Sequence, residues 1–251
     1  MAKIVFMKDH HPHGVEARRP LLRGVSLRGG ASGGNIALLN AAQRQELADI
    51  ATLARFPRGA LLQQEGEAIS AIFNVVEGVV KTYRLTEDGK RHILAFMFRG
   101  DLVGLYENGR YLNSAEAVNE VAAYRLPVAA LEKLWERDPA LNMAFLSKAC
   151  HDLRATQRHE IMLSRRDARQ RLWMFIDMLL PQAEESNGGG ENPRLTLPMR
   201  RVEIADYLGL SAEAVSRGLH ALVREGKLRL HGLHQLEVLD RGELAAAAAS
   251  G

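Results

Sequence analysis

The chain has 251 residues, with 33 Lys or Arg against 30 Asp or Glu, a formal net charge of +3. With 47% hydrophobic and 25% charged residues it can bury a core, which excludes a wholly disordered chain. At roughly 100–200 residues per domain, one large domain or two small ones are expected. A single cysteine, Cys150, excludes an intrachain disulfide and any all-cysteine cluster or zinc site within one chain. No apolar run approaches the roughly 18–20 residues of a membrane span, and the N-terminus lacks the pattern of a secretion signal. A soluble, cytoplasmic protein with no membrane partner is the expectation. Residues 1–35 hold six basic and two acidic residues, so the overall basicity comes largely from this tail. A tighter window, residues 194–231, holds seven basic and four acidic residues, a local excess that would matter for DNA if clustered on one face.

Residues 1–35, with six glycines from Gly14 to Gly34, read as a mobile extension. Its His10, His11 and His13 are more readily a polar segment than a metal or haem site. Over 40–53 a helical pattern places Leu47, Ile50 and Leu53 at i, i+3 and i+6. Short apolar runs punctuated by turns follow: Leu61 and Leu62, then 72–76, 79–85, 92–98 and 116–126, ended by Pro127. Near-regular strands with Gly and Asp turns are the signature of an antiparallel β-roll or barrel. Asp138 and Pro139 then read as an N-cap and first helical residue. Leu141, Phe145, Leu146, Ala149 and Leu153 mark the apolar stripe of a long helix, which could pack on its own domain or on a second copy. Ser164 to Asp167 resembles a capping box for another helix, with the hinge between domains near Leu163 and Ser164. That helix has Leu172, Phe175, Ile176 and Leu179 on its apolar face, Pro181 as its stop, and a Gly-rich loop over 182–192 behind it.

The strongest signal is RRVEIADYLGLSAEAVSRGLHALVREG, residues 200–226. Ile204, Ala205 and Leu208 mark a first helix, Gly209 a tight turn, and Ser211 the cap of a second. In the second helix Val215, Leu219 and Leu222 face inward, while Glu213, Ser216, Arg217 and His220 share the opposite face. Any αα-hairpin would show the apolar spacing; the added Ala, Gly, Ser and polar outer stripe point to a helix-turn-helix. Residues 227–239 read as a β-hairpin wing whose Lys227 and Arg229 are candidates for phosphate contact or simply solvated charges.

Over about residues 36–240 the chain resembles the Crp/Fnr superfamily of bacterial transcription regulators. LPMRRVEIADYLGLS (197–211) and EAVSR (213–217) look like its Fnr and FixK-like branch, with Arg200 where that branch often has Ser, Thr or Cys. The resemblance implies an α+β chain: an extension over 1–35, a cyclic-nucleotide-binding-like β-roll (jelly roll) over 36–137, a dimerisation helix over 138–163, and a winged helix-turn-helix over 164–251. It implies a homodimer joined through Leu141, Phe145, Ala149, Leu153 and Thr156. The implied partners are double-stranded DNA and RNA polymerase. Glu213, Ser216 and Arg217 match the branch's base-reading motif, implying a TTGA-like inverted repeat. Physically, Arg can pair with guanine and Glu can accept from cytosine. Arg201, Ser211, His220, Lys227 and Arg229 are the implied backbone contacts.

Control is the open point. Nucleotide-binding relatives carry a Gly-Glu-Leu cradle and an Arg that pairs the phosphate. Here Leu105 stands where the acid would be and Asn113 where the Arg would be, so cyclic-AMP control is not expected. One cysteine does not match an iron–sulfur relative. No cofactor is expected; the alternative is a sensor gated by haem or another ligand (gas, redox or small molecule) in the β-roll pocket, with haem drawing on His92, His151, His159 or the tail histidines, each read first as a surface His. Cys150 reads as buried filler. A cupin site would need a close His-x-His and a hydrolase a nucleophile elbow, and neither occurs. No enzymatic activity is expected.

Overall fold

The computed structural model describes residues 26–27, 36–165, 167–187, 192–232 and 234–240. The chain divides into two compact units, the first reaching His151 and the second beginning at Asp152. His10, His11, His13 and most of the N-terminal extension lie outside the described residues. Part of that stretch is ordered backbone: β1 (Ser26–Leu27) pairs antiparallel with β2 (Ile36–Ala37).

In the first unit, α1 (Ala41–Ile50) opens on a reciprocal cap. Asn40 Oδ1 accepts from the Gln43 amide at 2.9 Å, and Gln43 Oε1 accepts from the Asn40 amide at 3.0 Å. The helix stops before Leu53, which belongs instead to β3 (Thr52–Phe56). Pairing with a strand some seventy residues away overrides the helical spacing that Leu53 shares with Leu47 and Ile50. Then come β4 (Leu61–Gln63), β5 (Ala71–Glu77), β6 (Val80–Leu85), β7 (Arg91–Met97), β8 (Leu102–Val103), β9 (Tyr106–Glu107), β10 (Arg110–Tyr111), β11 (Ser114–Ala117) and β12 (Val121–Pro127). All pairings are antiparallel, in two four-stranded sheets ordered β4-β11-β6-β7 and β3-β12-β5-β8 and a two-stranded sheet of β9 and β10. Phe56, Phe73, Val75, Val80, Ala115 and Val121 form the roll's core, with the two phenylalanine rings edge to face at 5.7 Å. Gly78 turns β5 into β6 at φ +83°, where a Cβ would sit 2.2 Å from the Glu120 carbonyl, so no other residue fits.

Pro127 is followed at once by α2 (Val128–Arg137), a helix the strand-and-cap pattern does not anticipate, although Val128, Leu131 and Leu134 carry its buried stripe. In α3 (Pro139–Ser164) the first turn is held by Asp138, whose Oδ1 accepts from the Ala140 and Leu141 amides. Leu141 and Phe145, expected in a dimer seam, are instead buried in the protomer's own core with α2. Phe145 meets Trp135 edge to face at 5.3 Å. Their spacing fits an apolar stripe, and a core shared by α1, α2, Ile72 and Leu126 is what covers them.

The second unit holds the rest of α3, α4 (Ala168–Asn187), β13 (Arg194–Thr196), α5 (Arg201–Leu208), α6 (Ala212–Arg224), β14 (Leu228–His231) and β15 (Gln235–Val238). The strands form one antiparallel sheet, β13-β15-β14. Ser164 closes α3, its hydroxyl donating to the Ile161 carbonyl, and does not cap the next helix. Asp167 takes that role, accepting from the Arg169 amide at 2.9 Å. Leu172, Phe175, Ile176 and Leu179 are buried as the spacing predicts. The helix passes through Pro181 to Asn187, so neither the stop nor the start of the loop lies where the sequence pattern puts it. Proline removes one backbone donor, and the rest of a 20-residue ladder persists. No helix among the described residues is long and apolar enough to cross a membrane.

Candidate nucleic-acid interface

The site is built on α5, its turn and α6. Arg200 precedes α5 and cannot cap it, because a guanidinium has no acceptor. Glu203 compensates by accepting from the Arg200 backbone amide at 2.8 Å while pairing with its side chain. Gly209 then takes the left-handed conformation at φ +61°, and Ser211 Oγ accepts from the Ala214 amide at 3.1 Å to start α6. Val215, Leu219 and Leu222 are buried on its inner face. Gly218 lets α4 approach, since a Cβ there would lie 3.0 Å from Leu172 Cδ2.

Spacing alone puts Glu213, Arg217 and His220 on one face, and all three are exposed. None makes an ion pair or side-chain hydrogen bond among the described residues. Ser216 lies beside them, half-buried, its hydroxyl donating to the Ala212 carbonyl at 3.0 Å. That leaves its oxygen lone pairs to accept from a base or water. An exposed acid and guanidinium with a half-buried hydroxyl beside them, near one helix start, can read donor and acceptor patterns in a major groove.

The phosphate candidates are less uniform. Ser211 is exposed, and its hydroxyl hydrogen remains available while its oxygen caps α6. Arg201 is half-buried; burial lowers its pKa, yet arginine stays charged. Lys227 departs most from a solvated charge: its side chain is only 16% exposed and it pairs with Glu225 at 3.3 Å. Glu225 also takes Arg169 at 2.6 Å, and that hydrogen bond above all holds its carboxyl below the usual range. Arg229 and His231 converge on Glu237 at 3.0 and 2.9 Å.

Two residues behind the reader were missed as its supports. Arg171, on α4, donates from Nη1 to the Leu208 and Gly209 carbonyls at 3.0 and 3.1 Å, and from Nε to the Arg165 carbonyl at 2.7 Å. His159, on α3, is not a surface histidine. Its ring stacks on Tyr207 at 4.0 Å between centroids, and Nε2 lies 2.7 Å from the Tyr207 carbonyl. That carbonyl only accepts, so Nε2 carries the proton. Burial pushes the Tyr207 hydroxyl far up, keeping it neutral. Periodicity shows only that Arg171 adjoins an apolar stripe.

In the roll, Asn113 is buried and engaged by a neutral neighbour: Gln63 Nε2 donates to its backbone carbonyl at 3.0 Å and to Oδ1 at 3.1 Å. Leu105 is 52% exposed. On α3, Cys150 is exposed and is no core filler. Ala149, Leu153 and Thr156 are exposed as well, with Met143, Leu146 and Ile161. Among the described residues no group of three or more His, Cys, Asp or Glu could hold a metal.

Residues 53–138 match the cyclic nucleotide-binding domain, and residues 170–247 match the Crp-like helix-turn-helix domain. The chain is 31% identical to the nitrogen fixation regulation protein FixK of Bradyrhizobium diazoefficiens, over 84% of this chain and 88% of that one. It is 30% identical to the transcriptional activator anr of Pseudomonas aeruginosa, over 76% and 78%. The structure of FixK2 from Bradyrhizobium japonicum superposes with a TM-score of 0.70 at 29% identity, covering 79% of this chain and 97% of that one. The order of roll, long helix and winged reader, with these matches, has one reading: the chain belongs to the Crp/Fnr family, a DNA-binding transcription regulator of the FixK and Fnr type and not an enzyme.

Proposed function

We propose that the chain acts as a homodimer on a TTGA-like inverted repeat, activating transcription with RNA polymerase as its partner, and needs neither cyclic AMP nor an iron–sulfur or haem group. The observation that carries the reading is the open outer face of α6, with Glu213 and Arg217 exposed four residues apart. Two such helices reach successive major grooves only if they lie about 34 Å apart, one turn of DNA, which calls for a dimer. The exposed strip on α3, Met143, Leu146, Cys150 and Leu153, follows the three-four spacing of a coiled-coil seam and replaces the residues lost to the core. Independence from cyclic AMP is supported by the neutral Gln63–Asn113 pair where a phosphate would need a cation. Lys81, a buried cation of the roll, faces Glu116 at 2.8 Å.

Mobility shifts with the purified protein, in air and without added effector, test this directly. Binding to a TTGA palindrome and not to a scrambled site is expected, together with an absorption spectrum free of a haem band. Binding that appears only after a cofactor is added would defeat effector independence. A ligand-gated second reading has one observation in its favour: Gln63 Oε1 is buried without a hydrogen-bond partner, an acceptor that a small donor ligand inside the roll would satisfy.

A further inference from the structure

The last four carbonyls of a helix have no partner within it, and in α5 every one is taken. The Ala205 and Asp206 carbonyls accept from the amides of Gly209 and Leu210 in the turn. The Tyr207 and Leu208 carbonyls accept from side chains of other helices, His159 of α3 and Arg171 of α4. Arg171 extends the tie to Gly209 and to Arg165, in the link that joins α3 to α4. One guanidinium therefore holds three carbonyls in two stretches of backbone, which a lysine amine with its single centre does not reproduce. Leu163 packs into the same corner, 3.6 Å from where a Cβ on Gly209 would lie.

We propose that Arg171 and His159 are positioning residues that lock the helix-turn-helix to the C-terminal end of α3, and so set the half-site spacing that the dimer accepts. The proposal rests on the reading of the protein as a dimer on an inverted repeat. Adding one base pair between half-sites displaces one of them by about 3.4 Å and turns it by about a tenth of a helical turn. A reader fixed to α3 meets that change only by deforming the DNA or losing contacts. A reader on a slack joint swivels and follows. Stiffness at this corner is thus read out as selectivity for spacing, separately from selectivity for bases.

The test is a set of mobility shifts on inverted repeats whose half-site centres lie one DNA turn apart, one base pair closer and one base pair farther. Wild type should prefer its best spacer by about tenfold or more, a cost in the range of DNA deformation. Arg171→Met should narrow that preference to about threefold or less, with the base preference at the G·C step unchanged. Arg171→Lys should fall between the two. His159→Phe keeps a ring on Tyr207, loses the hydrogen bond to its carbonyl, and should show a smaller narrowing. Circular dichroism establishes that each variant is folded; should Arg171→Met fail to fold, Arg171→Lys and His159→Phe decide. Variants that bind with undiminished spacing preference, or a wild type indifferent to spacing, overturn the proposal. A wild type that binds no inverted repeat overturns the dimer reading instead.

Discussion

Charged side chains meet opposite fates in the core of the first unit and on the outer face of α6. In the first unit, Lys81 of β6 and Lys148 of α3 are each 2% exposed, and they are held by Glu116 at 2.8 Å and Asp101 at 3.2 Å. Glu116 takes Arg91 as well, and that guanidinium lies 4.2 Å from the Tyr83 ring centre. On α6, by contrast, Glu213, Arg217 and His220 stand exposed with no internal ion pair among the described residues. Composition does not separate these cases. Charge that is buried and paired specifies a fold, whereas charge left on a rigid, capped helix is available to an outside ligand.

The sharpest way to break this contrast is to unpair a buried charge. Lys148→Met leaves the Asp101 carboxylate, 7% exposed, without its ammonium partner. Loss of about 3–5 kcal/mol is expected in urea unfolding, with much of it recovered by the added Asp101→Asn. An unchanged midpoint for Lys148→Met would mean that this ion pair contributes little.

The two ends of α3 set up the next test. Leu141 is fully buried in the protomer, and Leu153 is 60% exposed. Leu141→Ala should cost about 2–5 kcal/mol of folding stability. Leu153→Glu should leave the protomer folded and dissociate the dimer in sedimentation. A dimer that survives Leu153→Glu puts the seam elsewhere on the surface.

On α6, Arg217→Ala should lose about 1–3 kcal/mol of discrimination at the G·C step of TTGA while keeping weak, salt-sensitive binding. Equal weakening on every single-base variant would show that Arg217 touches phosphate. Lys227 is the contrasting control. Its amine already serves Glu225, so Lys227→Ala should change the salt dependence by less than the roughly 0.9 units of one full phosphate contact.

The smallest effect concerns the wing. The hydrogen bond to His231 first, and then that to Arg229, holds the Glu237 carboxyl below its ordinary value of 4.5. A lowered carboxyl contributes stability that is present above that ordinary value and is lost as pH falls through the depressed one. Thermal melts taken through this acid range should therefore decline more steeply for wild type than for Glu237→Gln. Parallel curves would show that the cluster contributes nothing to stability.

Whatever one element's period and chemistry decide is legible in the order of residues alone. Val215, Leu219 and Leu222 face inward and Glu213, Arg217 and His220 outward because 3.6 residues make a turn, wherever the helix lies. The same holds for the Gly209 turn and the Ser211 cap, which need only their neighbours. Tertiary structure decided everything that depends on what stands opposite. Leu141 and Leu153 carry the same stripe, and only the packing of α1 and α2 makes one buried and leaves the other exposed. Leu53 satisfies a helical spacing and lies in a strand, because β12 is there to pair with it. The carbonyls of Leu208 and Tyr207 find donors 37 and 48 residues away, in Arg171 and His159. Periodicity is a local property of the chain, while burial and hydrogen-bond partnership are properties of surfaces that come together only when distant segments fold onto each other.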